Sequence, residues 1–130
     1  MKTVKRLVIV LLFVALAVCA TGCIRSTGSY RVTKCYSKQT TDSFFMEYEN
    51  FNGNKAYTFT AKQGAELGCR FVTESGKLDC RITDKSGKEY YNGSDVPTSE
   101  FSVTLDGDGE YTVSLNASDH SGAFYFKIKK

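Results

Sequence analysis

The chain has 130 residues, with 17 Lys and Arg against 14 Asp and Glu, five cysteines and one histidine. Lys2, Lys5 and Arg6 precede the first apolar run and no acidic residue accompanies them, so 14 basic and 14 acidic side chains of interspersed sign follow it. No clustered positive footprint for a phosphate backbone is left, which excludes nucleic acid as a partner, and the roughly hundred remaining residues make one small domain.

The first segment, Met1-Lys2-Thr3-Val4-Lys5-Arg6, leads into apolar Leu7 to Val18 and ends at Ala20-Thr21-Gly22-Cys23. A short cationic stretch, an apolar run too short for a membrane span and small residues before a cut site are the parts of a helical signal peptide. Cys23 directly after Thr21-Gly22 resembles the lipobox of bacterial lipoproteins, with Ala20 where Leu, Val or Ile is usual. That resemblance implies a diacylglycerol on the Cys23 sulfur, a cut after Gly22 and a location outside the cytoplasm on the cell membrane. The expected division is a lipoprotein signal peptide over 1–22, a lipidated N-terminus and tether over 23–29, and a β domain over 30–130.

Beyond the tether, apolar residues recur at every second position, the period of a strand with one buried face. Tyr30 to Tyr36 is a candidate edge strand, and polar Ser37 to Ser43 after it reads as irregular. Phe44, Met46 and Tyr48 then share a register, as do Tyr57, Phe59 and Ala61; Leu67, Cys69 and Phe71; and Leu78, Cys80 and Ile82. Three further sets follow: Phe101, Val103 and Leu105; Tyr111, Val113 and Leu115; Phe124, Phe126 and Ile128. Asn52-Gly53, Ser75-Gly76, Ser86-Gly87, Asn92-Gly93 and Asp106-Gly107 punctuate these runs as turns do. The expectation is an all-β antiparallel sandwich of about seven to nine strands.

Facing residues of an antiparallel pair have a constant sum of numbers, and this predicts registers. Phe101 opposite Leu115 also sets Val103 opposite Val113 and leaves Gly107-Asp108-Gly109 as the connection. Leu115 opposite Phe124 sets Val113 opposite Phe126, with a turn at Asp119-His120. The C-terminal third is thus expected to be a three-stranded meander. Similarly, Cys69 and Cys80 are expected on neighbouring strands around Glu74-Ser75-Gly76, either directly opposite, where a disulfide is within reach, or diagonal, where two buried thiols result. Cys19 falls in the apolar run and Cys35 is the odd thiol of an exported chain.

Tyr57-Thr58-Phe59-Thr60-Ala61-Lys62-Gln63-Gly64, Leu78 to Gly87, Gly109 to Leu115 and Ser121-Gly122-Ala123-Phe124 resemble, in that order, the bacterial pre-peptidase C-terminal (PPC) domain. The resemblance spans about residues 55 to 130 and implies a jelly-roll-like β-sandwich of the kind appended to secreted proteases. The same layout behind a lipobox resembles small lipoproteins of Gram-positive gut bacteria. The matching positions are turns and core, so they carry a fold and no active site.

Chemistry is sparse. Ser118-Asp119-His120-Ser121 holds the letters of a hydrolytic triad, but neighbours in one turn do not converge as a relay requires, and His120 reads as a solvated hairpin tip. Asp106 and Asp108 lack the other ligands of a calcium loop, and zinc would have to join His120 to cysteines of distant strands. No catalytic set, metal site or cofactor is therefore expected. Outward-pointing Phe45, Tyr90, Tyr91 and Tyr125 are the candidate binding residues, provided they cluster. The functional expectation is a membrane-anchored, non-catalytic binding or structural module for a glycan or a cell-envelope protein. A small secreted hydrolase and an accessory subunit of a larger membrane complex are the alternatives.

Overall fold

A computed structural model describes residues 24–129, so the signal segment and Cys23 lie outside the described residues. Seven strands follow one another: β1 (Arg25–Arg31), β2 (Lys34–Gln39), β3 (Ser43–Ala61), β4 (Glu66–Asp84), β5 (Glu89–Gly93), β6 (Ser99–Thr104) and β7 (Gly109–Lys129). All pairings are antiparallel. β3, β4 and β7 are 19, 19 and 21 residues long and build both layers of the sandwich. One layer contains β2, the first half of β3, the second half of β7, the first half of β4, and β6. The other contains β1, the second half of β3, the first half of β7, the second half of β4, and β5.

The long strands pass from one layer to the other at a shared crease. Pairing slips between Tyr48 and Gly53 of β3 and between Thr73 and Lys77 of β4, each against β7. Asn50 (φ 53°) and Gly53 (φ 122°) of β3, Gly76 (φ 77°) of β4, and Asp119 (φ 46°) and Gly122 (φ 153°) of β7 all have positive φ there. A bulge adds an unpaired residue and bends its strand, which folds the sheet over and switches the parity of the inward side chains. In β7 the buried set runs Tyr111, Val113, Leu115, Ala117 and then His120, Phe124, Phe126. Close backbone approach fixes glycines at this level. A Cβ on Gly76 would lie 2.0 Å from the Asp119 carbonyl oxygen, and one on Gly122 would lie 1.9 Å from that of Val72. The Asn52 side chain ties the crease together, accepting from the Asp119 amide and donating to the Asp119 carboxylate, both at 2.9 Å.

Apolar faces of the two layers meet in one core. Phe44 stacks on Tyr57 with ring centroids 4.0 Å apart and on Phe126 at 4.8 Å, while Val113, Leu115, Phe124 and Phe126 are fully buried. Burying such side chains contributes about 1.5–3 kcal/mol each before conformational entropy is set against it.

Four expectations are corrected. Residues 111–115 and 124–128 are halves of one bent strand, not a hairpin, and the same holds for 67–71 with 78–82; 44–48 and 57–61, read as two strands, are likewise halves of β3. β6 pairs with β4, from Glu66↔Thr104 to Phe71↔Ser99, and not with β7. The connection through Gly107 and Asp108 is therefore an arch between layers. Residue numbers equidistant from a bend have a constant sum whether the segments pair in one sheet or face each other across a core, so the arithmetic did not separate the cases. Cys69 and Cys80 consequently sit in opposite halves of β4 and are free, buried thiols. Finally, residues 24–29 of the expected tether are part of the domain: Ile24 is buried and β1 starts at Arg25.

Candidate binding groove

Strand alternation that buries Phe44, Met46 and Tyr48 sends Phe45, Glu47 and Glu49 to the outer face of the first layer. Register then aligns them with their neighbours. Lys38, Phe45, Tyr125 and Arg70 form one row across β2, β3, β7 and β4, and Tyr36, Glu47, Ala123 and Val72 form the next. The Tyr36 and Phe45 rings meet edge-on at 6.0 Å, and Phe45 and Tyr125 are tilted at 6.3 Å. Tyr36 and Tyr125 are 63% and 37% exposed, so this aromatic strip faces water. Small Ala123 and Val72 beside the large rings leave a groove of about 620 Å³, which continues past Lys34, Glu49 and Glu74 to Gly122 at the crease. The ion pairs among the described residues, Arg25–Glu110, Arg81–Glu89 and Lys88–Asp106, all lie elsewhere, so Arg70, Lys34, Glu47, Glu49 and Glu74 present unpaired charge to the groove.

A buried polar chain supports the floor. Thr73 Oγ1 donates to the Val96 carbonyl at 2.9 Å, so its lone pairs receive the proton of His120 Nε2, also at 2.9 Å. Nδ1 is then the acceptor for the Tyr48 hydroxyl at 2.7 Å. His120 is 0% exposed, and burial pushes its pKa below the ordinary histidine value while pushing that of Tyr48 up. The expected solvated tip is thus a neutral imidazole at the crease, bridging β3 and β4. Both ring nitrogens are engaged by Tyr48 and Thr73, Asp119 is held by Asn52, and Ser121 Oγ accepts the Asn50 amide. The adjacent triad letters therefore do not assemble.

The sequence-derived aromatics divide. Phe45 and Tyr125 come together in the groove. Tyr90 and Tyr91 instead pack against the core at β5: Tyr90 meets the Tyr111 ring at 5.4 Å and donates to Asp106, and Tyr91 lies 4.7 Å from the Phe101 ring. A bulge between Ile82 and Thr83 turns this short strand so that both rings close the side of the sandwich. Tyr36 was missed, although it stands in the outward register of the Tyr30–Tyr36 run. Asp106 bonds Lys88 and Tyr90, and Asp108 accepts the Gln63 amide at 2.7 Å; no three His, Cys, Asp or Glu side chains converge among the described residues. Cys35 is an exposed thiol at the groove, and Cys23 lies outside the described residues.

No family model matches the chain and no curated protein matches it, so the PPC resemblance rests on the quoted residues alone. Similar solved structures include PliG of Aeromonas hydrophila, a periplasmic inhibitor of g-type lysozyme (10% identity, 85% of this chain and 88% of that one, TM-score 0.47). TmCBM61, solved in complex with β-1,4-galactotriose, is 11% identical over 87% of this chain and 88% of that one, with a TM-score of 0.46. The secreted serine protease VesC of Vibrio cholerae is 9% identical over 77% of this chain but 24% of its own, with a TM-score of 0.49. The β-sandwich rests on this chain's own strand pairings, and at these values the likeness assigns no site.

Proposed function

We propose that the protein is an extracytoplasmic, lipid-anchored binding domain without a catalytic centre, and that its ligand is a glycan chain lying in the groove across β2, β3 and β7. The observation that carries this reading is the strip of exposed Tyr36, half-buried Phe45 and exposed Tyr125, three rings from adjacent strands on a face that core formation does not need. Sugar rings offer apolar C–H faces to such rings and hydroxyls to flanking Glu47, Arg70 and Glu74, the combination of apolar contact and directed polar groups that ligand sites use. A groove half open to solvent suits an extended chain.

The test is binding of a glycan array by the full chain in vesicles. Tyr36→Ala and Tyr125→Ala should each weaken the selected glycan about tenfold, the ~1.4 kcal/mol typical of a contributing aromatic contact, without lowering the melting temperature. Tyr90→Ala, by contrast, should lower the melting temperature and spare binding. A second reading, docking to an envelope protein, is favoured by the edge of β2, whose Lys34–Gln39 backbone pairs, among the described residues, with β3 alone. Failure of every glycan, with capture of an envelope protein that survives loss of both tyrosines, would transfer the assignment to that edge.

A further inference from the structure

Ile24 is 6% exposed, and its carbonyl accepts a hydrogen bond from Gln39 Nε2 across the two layers. β1 begins at the next residue and keeps seven consecutive partners, from Arg25↔Thr58 to Arg31↔Asn52. Arg25 is further held to Glu110 of β7 at 3.0 Å. No flexible linker therefore separates Cys23 from the folded domain; one peptide unit, about 3.8 Å between Cα atoms, joins it to a core residue.

The direction of β1 specifies which end of the sandwich this is. Arg25 lies level with Thr58 near the end of β3, whereas Arg31 lies level with Asn52 at the crease. The connections 40–42, 62–65, 85–88 and 105–108 share the Ile24 end, because β2 and β3 meet there and β3 finishes there opposite the start of β7. The crease lies about 25–30 Å away, the reach of nine strand residues.

We propose that the Ile24 end of the sandwich rests on the lipid bilayer surface, with the crease held away from it and the groove opening sideways toward the far end. This rests on the lipid-anchor reading of Cys23. An acylated Cys23 sulfur lies at the boundary of headgroups and acyl chains, and because the adjoining Ile24 is buried, only the Cys23 linkage itself is left for the domain to swing about. Charge does not supply the orientation. Lys62, Lys85 and Lys88 are mixed with Asp42, Asp106 and Asp108 at this end, and Lys88 is paired with Asp106, so zwitterionic bilayers serve as well as anionic ones. The consequence is a fixed presentation: Tyr36 and Tyr125 face laterally above the membrane, where a wall or envelope polymer passes.

The experiment uses the full lipidated chain in phosphatidylcholine vesicles, with Cys35→Ser to remove the exposed thiol. A fluorophore is placed at Gln63→Cys, at the Ile24 end, or at Lys77→Cys, at the crease, both exposed positions. Headgroup-attached nitroxide should quench the Gln63 label severalfold more than the Lys77 label, and a long Gly-Ser spacer inserted between Cys23 and Ile24 should erase the difference. Equal quenching without the spacer, or stronger quenching at Lys77, overturns the orientation if mass spectrometry finds the lipid on Cys23. An unmodified Cys23 overturns the anchor reading and the orientation with it. Cys23→Ser, which removes the acyl acceptor, should leave an unlipidated precursor.

Discussion

Replacing His120 by Phe keeps an aromatic ring at the crease but removes both nitrogens. Thr73 retains its donation to Val96, whereas the Tyr48 hydroxyl, on a residue only 4% exposed, loses its acceptor. A buried hydroxyl left without a partner costs about 1–3 kcal/mol. Tyr48→Phe alone leaves His120 Nδ1 orphaned at a similar cost. In the double variant neither orphan exists, so its loss should fall below the sum of the single losses by about 1–2 kcal/mol. Urea melts of the four proteins measure this directly. The pH dependence is a second readout. His120 is held below its ordinary pKa, so the unfolded chain protonates first as pH falls. The stabilisation is complete above about pH 6.5 and is lost as pH drops toward the folded value, by at most ~1.4 kcal/mol per unit. Variants lacking His120 should not show that loss. Additive single costs, together with an unchanged acid limb in His120→Phe, would refute the tautomer and the buried chain assigned here.

Three further outcomes test the architecture. Val113→Asp places a carboxylate at a fully buried position and should cost several kcal/mol, whereas Thr112→Asp, on the outer face beside Thr58, should cost about 1 kcal/mol or less; thermal melts decide, and an exchange of the two results would mean a one-residue register error. Gly76→Ala should cost at least about 2 kcal/mol by chemical denaturation, because the new methyl meets the Asp119 carbonyl as well as a left-handed backbone. In the native protein, iodoacetamide should label Cys35, while Cys69, whose thiol burial pushes up to about 12, and Cys80, pushed higher still, should react only after denaturation, as peptide mass mapping will show.

The inward set was legible in the sequence because a half-buried strand must alternate, and that constraint is local. Val113, Leu115, Phe124, Phe126, Leu78 and Ile82 all occupy the core that their register predicted. The connectivity was not legible. A tight hairpin and a bulged bend both switch the parity of the inward residues, both recruit Gly, Asn and Asp, and both give the same sums of facing numbers. Which of them forms at Asn50–Gly53, Thr73–Gly76 and Asp119–Gly122 depends on whether neighbouring strands bend at the same level, a property of three segments together. The same limit applies to the site. Outward Phe45 and Tyr125 followed from alternation, but their meeting with Tyr36 required the β2–β3–β7 order, and the inward turn of Tyr90 and Tyr91 required the bulge in β4–β5. His120 shows the difference most plainly: its place in an expected turn at Asp119-His120 suggested solvent, and only the folding-over of β3 and β4 around it supplied the Tyr48 and Thr73 partners that make its burial affordable in free energy.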